Sequence, residues 1–599
     1  MQSSPHTFHI PVMGLAYTVD SPIKVARFGI DSVISIIEDR LIELMRKQYY
    51  EFIKAEYIPI TTHEIDYRAK RITDYLNLVS KIVKDQVEHL RSTAFEAGNE
   101  LTRYFEMLPT ENRLRKLYLQ MTCTQDEQEK ISLQDYLRNQ IRPGSIDVNI
   151  MTKLDGNSAG SKAAPVEDGT DALSALRGYA LSTLNNTSIV FSAGLNPRLF
   201  NYLEKFSAFD ATAWGQFDKK VVIKVSDYRS ALIQGKYLAK KGIWVSEFRI
   251  ESGLNCGGHA FATDGYLMGP ILEEFKMKRD ELSTTLHQLY HAAVIAKGKV
   301  AFDQPHPIDI TAQGGVGTTE ENNLLKQHYG INSVGWGTPF LLCPEATTVD
   351  ENTLQLLSRA TDNDLTLSNN SPLGTRFHYL KGTTSDKEKQ RRIDLGKPGS
   401  PCTEKHLAFN TEFTVEPICT ASRKYQKLKT EELISKNLPK QDYIKQLNDI
   451  HAKECLCVGL SNSASLVYNQ PFLKKLPSVT ICPGPNIAYF SEITTLQQMT
   501  DHIYGRINLL DQVARPHMFI KELHLYINYL AEQLEKVGED EKHTKYCVLF
   551  SQNLLAGIDY YKTLNRGEET TDFINELNDC ADKVSFMLES KLPIQKVTL

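Results

Sequence analysis

The chain is missing several features that would point to particular functions. No stretch approaches the roughly 20 consecutive apolar residues that a membrane-crossing helix needs. Met1 to Ile10 show neither the basic start nor the apolar run of a secretory leader. Basic side chains are not gathered. The densest run, Lys387 to Arg392, is broken by Glu388, and the formal net charge is −5. Nucleic-acid binding depends on clustered Lys and Arg that neutralise phosphates, so it is not expected. The ten cysteines are spread over 599 residues, unlike the dense framework of a small secreted domain. No internal repeat, low-complexity tract or G-x-G-x-x-G dinucleotide fingerprint is visible. The expectation is a soluble, cytoplasmic protein with a small-molecule substrate and no membrane or nucleic-acid partner. Its oligomeric state is not readable.

What remains is ordinary globular composition, 41% hydrophobic and 24% charged, with a strong alternation of pattern. HIPVMGLAY reads as a buried strand entering a loop, IKVARFGI as a short helix and SVISII as a second strand, together a parallel βαβ unit. From Glu38 to about Arg138 the pattern is helical. Leu41, Leu44 and Met45 share one face, as do Tyr75, Leu78, Val79 and Ile82. Asn157 to Asp171 is rich in small and polar residues and reads as a loop. Strand patterns then recur in SIVFSA, KKVVIKVS, SEFRIES, IDITAQGG and NSVGWG, with helical segments such as RSALIQGKYLAKKG between most of them. Repeated β-then-α units fix the class as α/β with a parallel sheet. Periodicity alone leaves a closed barrel and an open doubly wound sheet both standing.

Three glycine-rich segments follow strand patterns: ESGLNCGGHAF (Glu251 to Phe261), AQGGVG (Ala312 to Gly317) and GWGTPF (Gly335 to Phe340). Glycine permits positive φ and close approach of a ligand to the backbone. Backbone N–H groups between a strand and a helix make an anion site, which barrels commonly build after strands seven and eight. A bland alternative is that these glycines only form tight turns. His259, directly after Gly257 and Gly258, is placed by the pattern near a strand C-terminal end, where an imidazole can move a proton near neutral pH.

The order of these motifs resembles the nitronate monooxygenase, or 2-nitropropane dioxygenase-like, family of FMN-binding barrels. ITAQGGVG and VGWGTPF match its late signature, KVVIKVS and the strand ending in GGH its middle, and HIPVMGLAY with VARFGIDSVISI its opening strands. The resemblance implies a (β/α)8 TIM-type barrel that binds FMN and acts as an oxidoreductase on a substrate with an acidic carbon. It assigns the FMN phosphate to Gly315, Gly335, Trp336, Gly337 and Thr338. Met13 and Gly14 would lie near the isoalloxazine ring, Gly257, Gly258 and Gly314 would also take part in binding the cofactor, and His259 would handle the proton. The implied plan is a split barrel from residues 8–37 and 172–346, a helical insertion at 38–171, a loop-rich extension at 347–490 that completes or caps the barrel, and a helical region at 491–599.

The insertion and the long C-terminal mixed and helical extension depart from that family, which puts nitronate as substrate in doubt. The barrel's end is also similar to the FMN domain of glutamate synthase, where downstream cysteines hold an iron–sulfur cluster. Here the residues available for one are Cys402, Cys419, Cys455 and Cys457, without the tight CxxC spacing of strong sites. Thiols packed as small hydrophobes are the simpler reading, and no metal site is assigned. Of two further loops, one offers Arg376, suited to an anionic group, and the other ends with Arg423 among small residues; a structural role is the simpler reading of both. Two other classes stay open. One is a flavin-independent isomerase or lyase acting on a phosphorylated substrate, with Lys224 as a Schiff-base candidate. The other is a scaffold whose barrel no longer catalyses.

Overall fold

A computed structural model describes residues 4–151, 155, 168–192, 194–257, 259–260, 263–470, 477–510, 514–537, 540–564 and 570–591. Eight parallel strands close into a barrel in sequence order: β1 (Phe8–Ile10), β2 (Asp31–Ser35), β3 (Ile146–Ile150), β4 (Thr187–Phe191), β5 (Lys219–Val225), β6 (Val245–Glu251), β7 (Asp309–Gln313) and β8 (Ser333–Gly335). Closure pairs Phe8 with Val334 and His9 with Gly335. This is the (β/α)8 architecture, and closure leaves the barrel sheet without an edge strand.

Alternation along each strand sends one set of side chains outward and the other into the lumen. Phe8, Ile10, Ile34, Val148, Ile189, Ile223, Phe248, Ile250, Ala312 and Val334 join the main core under the helices. The inward positions are different in kind. Val12, Val33, Val190 and Val222 form a separate apolar cluster. Around them, His9, Asp147, Asn149, Ser188, Lys224, Arg249, Thr311 and Gln313 are buried polar groups.

The barrel order corrects one boundary. β3, at Ile146–Ile150, falls inside residues 38–171, which the sequence pattern assigned wholly to a helical insertion. The insertion proper is five helices, Asp39–Phe52, Tyr67–Ser92, Glu100–Glu106, Arg113–Cys123 and Glu127–Gln140. Most of the expected loop at 157–171 lies outside the described residues; its last residue, Asp171, opens the helix Asp171–Ala180. The stretch 347–490 is less irregular than expected. It carries helices, among them Thr384–Asp394, Arg423–Ser435 and Lys440–Ala452, and the antiparallel strands Leu365–Ser368 and Arg376–Leu380. Long helices follow at Met518–Leu534, Glu541–Lys562 and Thr570–Lys591. Among the described residues no helix is long and apolar enough to cross a membrane.

Candidate active site at the barrel mouth

The C-terminal ends of β5, β6 and β7 place three polar side chains together. Glu251 Oε1 accepts from Lys224 Nζ at 3.0 Å and from Gln313 Nε2 at 2.8 Å. Asn255, in the loop after β6, donates to the same oxygen at 2.7 Å and accepts from Gln313 Nε2 at 3.2 Å. Deeper in the lumen, Glu247 Oε1 accepts from Arg249 Nε at 2.8 Å and from Thr311 Oγ1 at 2.5 Å. Burial opposes charge on Arg249, but Glu247, Asp147 and Glu251 more than restore it, so its guanidinium is held more firmly protonated than usual. Burial, with Arg249 nearby, pushes His9 well below its ordinary value, so its imidazole is neutral at pH 7. Its Nδ1 meets Ser333 Oγ at 3.0 Å. Its Nε2, like Asn149 Oδ1, Ser35 Oγ and Gln313 Oε1, is buried without a hydrogen-bond partner among the described residues. Unsatisfied groups of this kind are costly in a closed core and gather where water or a ligand completes the network.

The glycine loops converge on this mouth. Gly257 has φ +78°, and a Cβ there would stand 2.4 Å from Met13 Cα and 2.6 Å from Gly14 N. Only glycine lets the loop after β6 lie against the loop after β1. Gly337 faces Met13, Pro11 and Cys256, with an added Cβ 3.2 Å from Cys256 Cβ. Met13, Gly14, Gly257, Gly314, Gly315, Gly335, Trp336, Gly337 and Thr338 are thus brought around one end of the barrel. Gly258 lies outside the described residues.

His259 does not end a barrel strand: β6 stops at Glu251, and the backbone of His259–Ala260 forms a separate short strand antiparallel to Arg376–Phe377. Its side chain lies outside what is described. Trp336 is wholly buried and donates to Asn322 at 3.3 Å, so it acts as packing beneath the loop. Gly335 faces His9 and Gln313; its missing side chain gives those groups room in the lumen.

The loop after β7 is held from behind. Asn486 donates to the carbonyls of Gly315 and Val316 at 2.7 and 2.9 Å, and Arg515 to that of Gly315 at 2.6 Å. Glu321, on the helix Thr319–Gln327, accepts from Gly317 N at 2.8 Å and pairs with Arg515 at 2.7 Å. Burial raises the Glu321 carboxyl, but Arg515 and the backbone donors more than offset this and hold it below the usual range. With these carbonyls engaged, the N–H groups of Gly315, Val316 and Gly337 are left with no acceptor among the described residues. Gly315 and Val316 are buried. Three such donors across two adjacent loops fit an anion, as a flavin phosphate would supply. The Gly317 end of the loop is already taken by Glu321, so the cradle spans Gly315, Val316 and Gly337.

The remaining candidates are more self-contained. All ten cysteines are free thiols. Cys402 and Cys419 stand in contact; the Cys419 thiol draws Cys402 down to about 7, while its own value rises through the same contact and burial. Cys455 and Cys457 are near enough to feel Cys402, and burial raises both. Among the described residues the four sulfurs do not close to ligand spacing. Arg376 is taken by Glu532 and by the carbonyl of Leu367. Arg423 is exposed at the start of its helix.

Sequence reading passed over His9, Arg249, Glu251, Asn255 and Gln313. The available signal was Glu247, Arg249 and Glu251 at every second position of β6. A strand buried on both faces should read as apolar throughout, so polar residues at period two mark a hydrophilic lumen. No known family model matches the chain, and no curated protein matches it.

Proposed function

We propose that this protein is an FMN-dependent oxidoreductase working at the C-terminal mouth of the barrel on a small-molecule substrate. The observation that carries the reading is the set of acceptor-free backbone donors at Gly315, Val316 and Gly337, in the loops after β7 and β8, where barrels commonly hold a phosphate. When bound, the flavin supplies the two-electron chemistry; the chain supplies position and charge. Gly315, Val316 and Gly337 would hold the phosphate, and Met13, Gly14 and Gly257 would line the approach to the ring. Lys224, fixed by Glu251, would place a positive charge where negative charge develops during reduction. The neutral His9 would offer Nε2 as a hydrogen-bonding group below it. His259 is retained as the proton-handling candidate on the family resemblance alone.

The test is the visible spectrum of the purified protein, with the chromophore identified after heat release, for wild type and Gly337→Ala. Yellow wild type releasing FMN, with weakened retention in the variant, supports the proposal. Colourless wild type that takes up no added FMN overturns it. A second reading has one observation in its favour: Lys224 is an amine buried at the end of β5 with a carboxylate partner, as a Schiff-base lysine in a flavin-independent lyase would be. Borohydride trapping of a carbonyl substrate on Lys224 would select it.

A further inference from the structure

Outside the mouth just described, one group of side chains has its own unfinished chemistry. Glu38 lies just past the end of β2, and Glu404 and His406 lie in the segment Cys402–His406 that crosses over it. One carboxylate oxygen each of Glu38 and Glu404 and a His406 ring nitrogen all lie within 4.8 Å of one another. Glu38 is 2% exposed and the His406 side chain 12%. Among the described residues Glu38 Oε1 and His406 Nε2 are buried with no hydrogen-bond partner, and Glu404 Oε1 has only its ion pair with Arg40.

The surroundings prepare these atoms for a shared cation. Glu38 Oε2 accepts from Leu41 N at the start of a helix, which fixes the carboxylate and leaves Oε1 aimed at His406 Nε2, 3.6 Å away. On the far side of the imidazole, Asp171 Oδ2 stands 3.7 Å from Nδ1. A carboxylate behind a histidine in this way orients the ring for metal ligation. Asp171 is anchored by Arg68, whose Nη2 also donates to Ile37 O at 2.9 Å. Arg40 approaches Glu404 Oε1 at 3.2 Å from a half-exposed position. Three carboxylates (Glu38, Glu404, Asp171) therefore face two guanidiniums (Arg40, Arg68), and the remaining negative charge is met either by a proton on His406, whose value burial lowers but Asp171 and Glu38 more than restore, to about 9, or by a bound cation.

We propose that Glu38, Glu404 and His406 bind a divalent transition-metal ion of the zinc or manganese type, with Asp171 positioning the histidine. Metal bonds of about 2.0–2.2 Å put neighbouring donors roughly 3.4 Å apart in a tetrahedron, close to the 3.6 Å between Glu38 and His406. Imidazole among the ligands favours such ions over magnesium or calcium, which take all-oxygen shells. Three protein ligands leave a position for water. The ion would tie the 402–406 segment to the barrel rim beyond β2, linking residues more than three hundred positions apart. The rival occupant of the same space is a proton on His406, bridging Glu38 and Asp171.

The experiment is titration of the metal-stripped full chain with Zn2+ and Co2+, followed by calorimetry and visible absorption, with millimolar Mg2+ as competitor. One equivalent should bind despite Mg2+, and Co2+ should give weak d–d bands without thiolate charge transfer. Glu38→Gln and His406→Ala should abolish saturable binding, Asp171→Asn should weaken it about 10–100-fold, and Cys402→Ser should leave it unchanged. Failure of the wild type to bind either ion overturns the proposal in favour of the protonated histidine, whatever the variants do. An intense thiolate band that disappears in Cys402→Ser and survives His406→Ala also overturns it, by moving the metal to the cysteines. Neither outcome depends on whether flavin is bound.

Discussion

Glu522 gives the sharpest quantitative test of how the C-terminal region is joined to the barrel. It sits on the helix Met518–Leu534, 2% exposed, and its oxygens accept from Ser252 Oγ and Met268 N, each at 2.8 Å. Among the described residues no cation pairs with it. Burial raises the carboxyl from 4.5 to about 7, although hydrogen bonding from Met268, Ser252 and the Gly253 backbone pulls the other way. At about 1.4 kcal/mol per pKa unit, ionising Glu522 in the folded protein costs about 3 kcal/mol more than in the unfolded chain. Because the folded value is the higher one, the stabilising contribution is complete below about pH 4.5 and is lost as pH rises through about 7. Glu522→Gln removes the ionisation but keeps an acceptor for Met268 N–H and offers N–H to the Ser252 hydroxyl. Urea unfolding of both proteins at pH 5 and pH 8 isolates the effect, since every other titrating group cancels in the difference. The variant should gain about 2–3 kcal/mol on wild type between the two pH values. Parallel pH profiles would show that the carboxyl is not held neutral and would refute the argument from burial.

Two other substitutions probe the mouth. Glu321→Gln leaves the Arg515 guanidinium buried without its anion, so unfolding free energy should fall by about 3–5 kcal/mol; a loss under about 1 kcal/mol in a urea titration would mean the pair is not desolvated. Gly257→Ala combines a left-handed φ with a Cβ 2.4 Å from Met13 Cα, which should cost at least about 1–2 kcal/mol and lower the melting temperature. An unchanged melting temperature would show that the loops after β1 and β6 are not in close contact.

The strands that sequence reading found are those with apolar outward faces and glycine or polar punctuation, such as Val221 to Val225 and Ile310 to Ala312. β3 was missed for the converse reason. IDVNI comes straight after a long helical stretch, and its inward residues, Asp147 and Asn149, are polar because they face a polar lumen. The glycine loops could be read because they mark themselves locally through φ > 0 and close packing. Glu251, Gln313 and Asn255 meet only when the barrel closes, and Glu38 meets His406 only when the extension folds over the rim. No local pattern encodes either meeting. His259 shows the opposite error: a motif next to a strand was read as the strand's own end, although β6 finishes at Glu251 and His259 belongs to a different pairing.

The clamp behind the loop after β7 has a bearing on how the chain acquires its shape during synthesis. Domains form from the N-terminal side as the chain emerges, and all eight barrel strands have been made by Gly335. Arg515, Asn486 and Glu522 come much later. For the time it takes to make those residues, Glu321 has no guanidinium partner and the carbonyls of Gly315 and Val316 are uncapped, while Ser252 and Met268 lack their acceptor. A barrel at that stage can have its walls but not a finished mouth. The mouth is therefore one of the last parts of the barrel to be completed, and slowing synthesis between β8 and Arg515 should lengthen the interval in which it is unfinished.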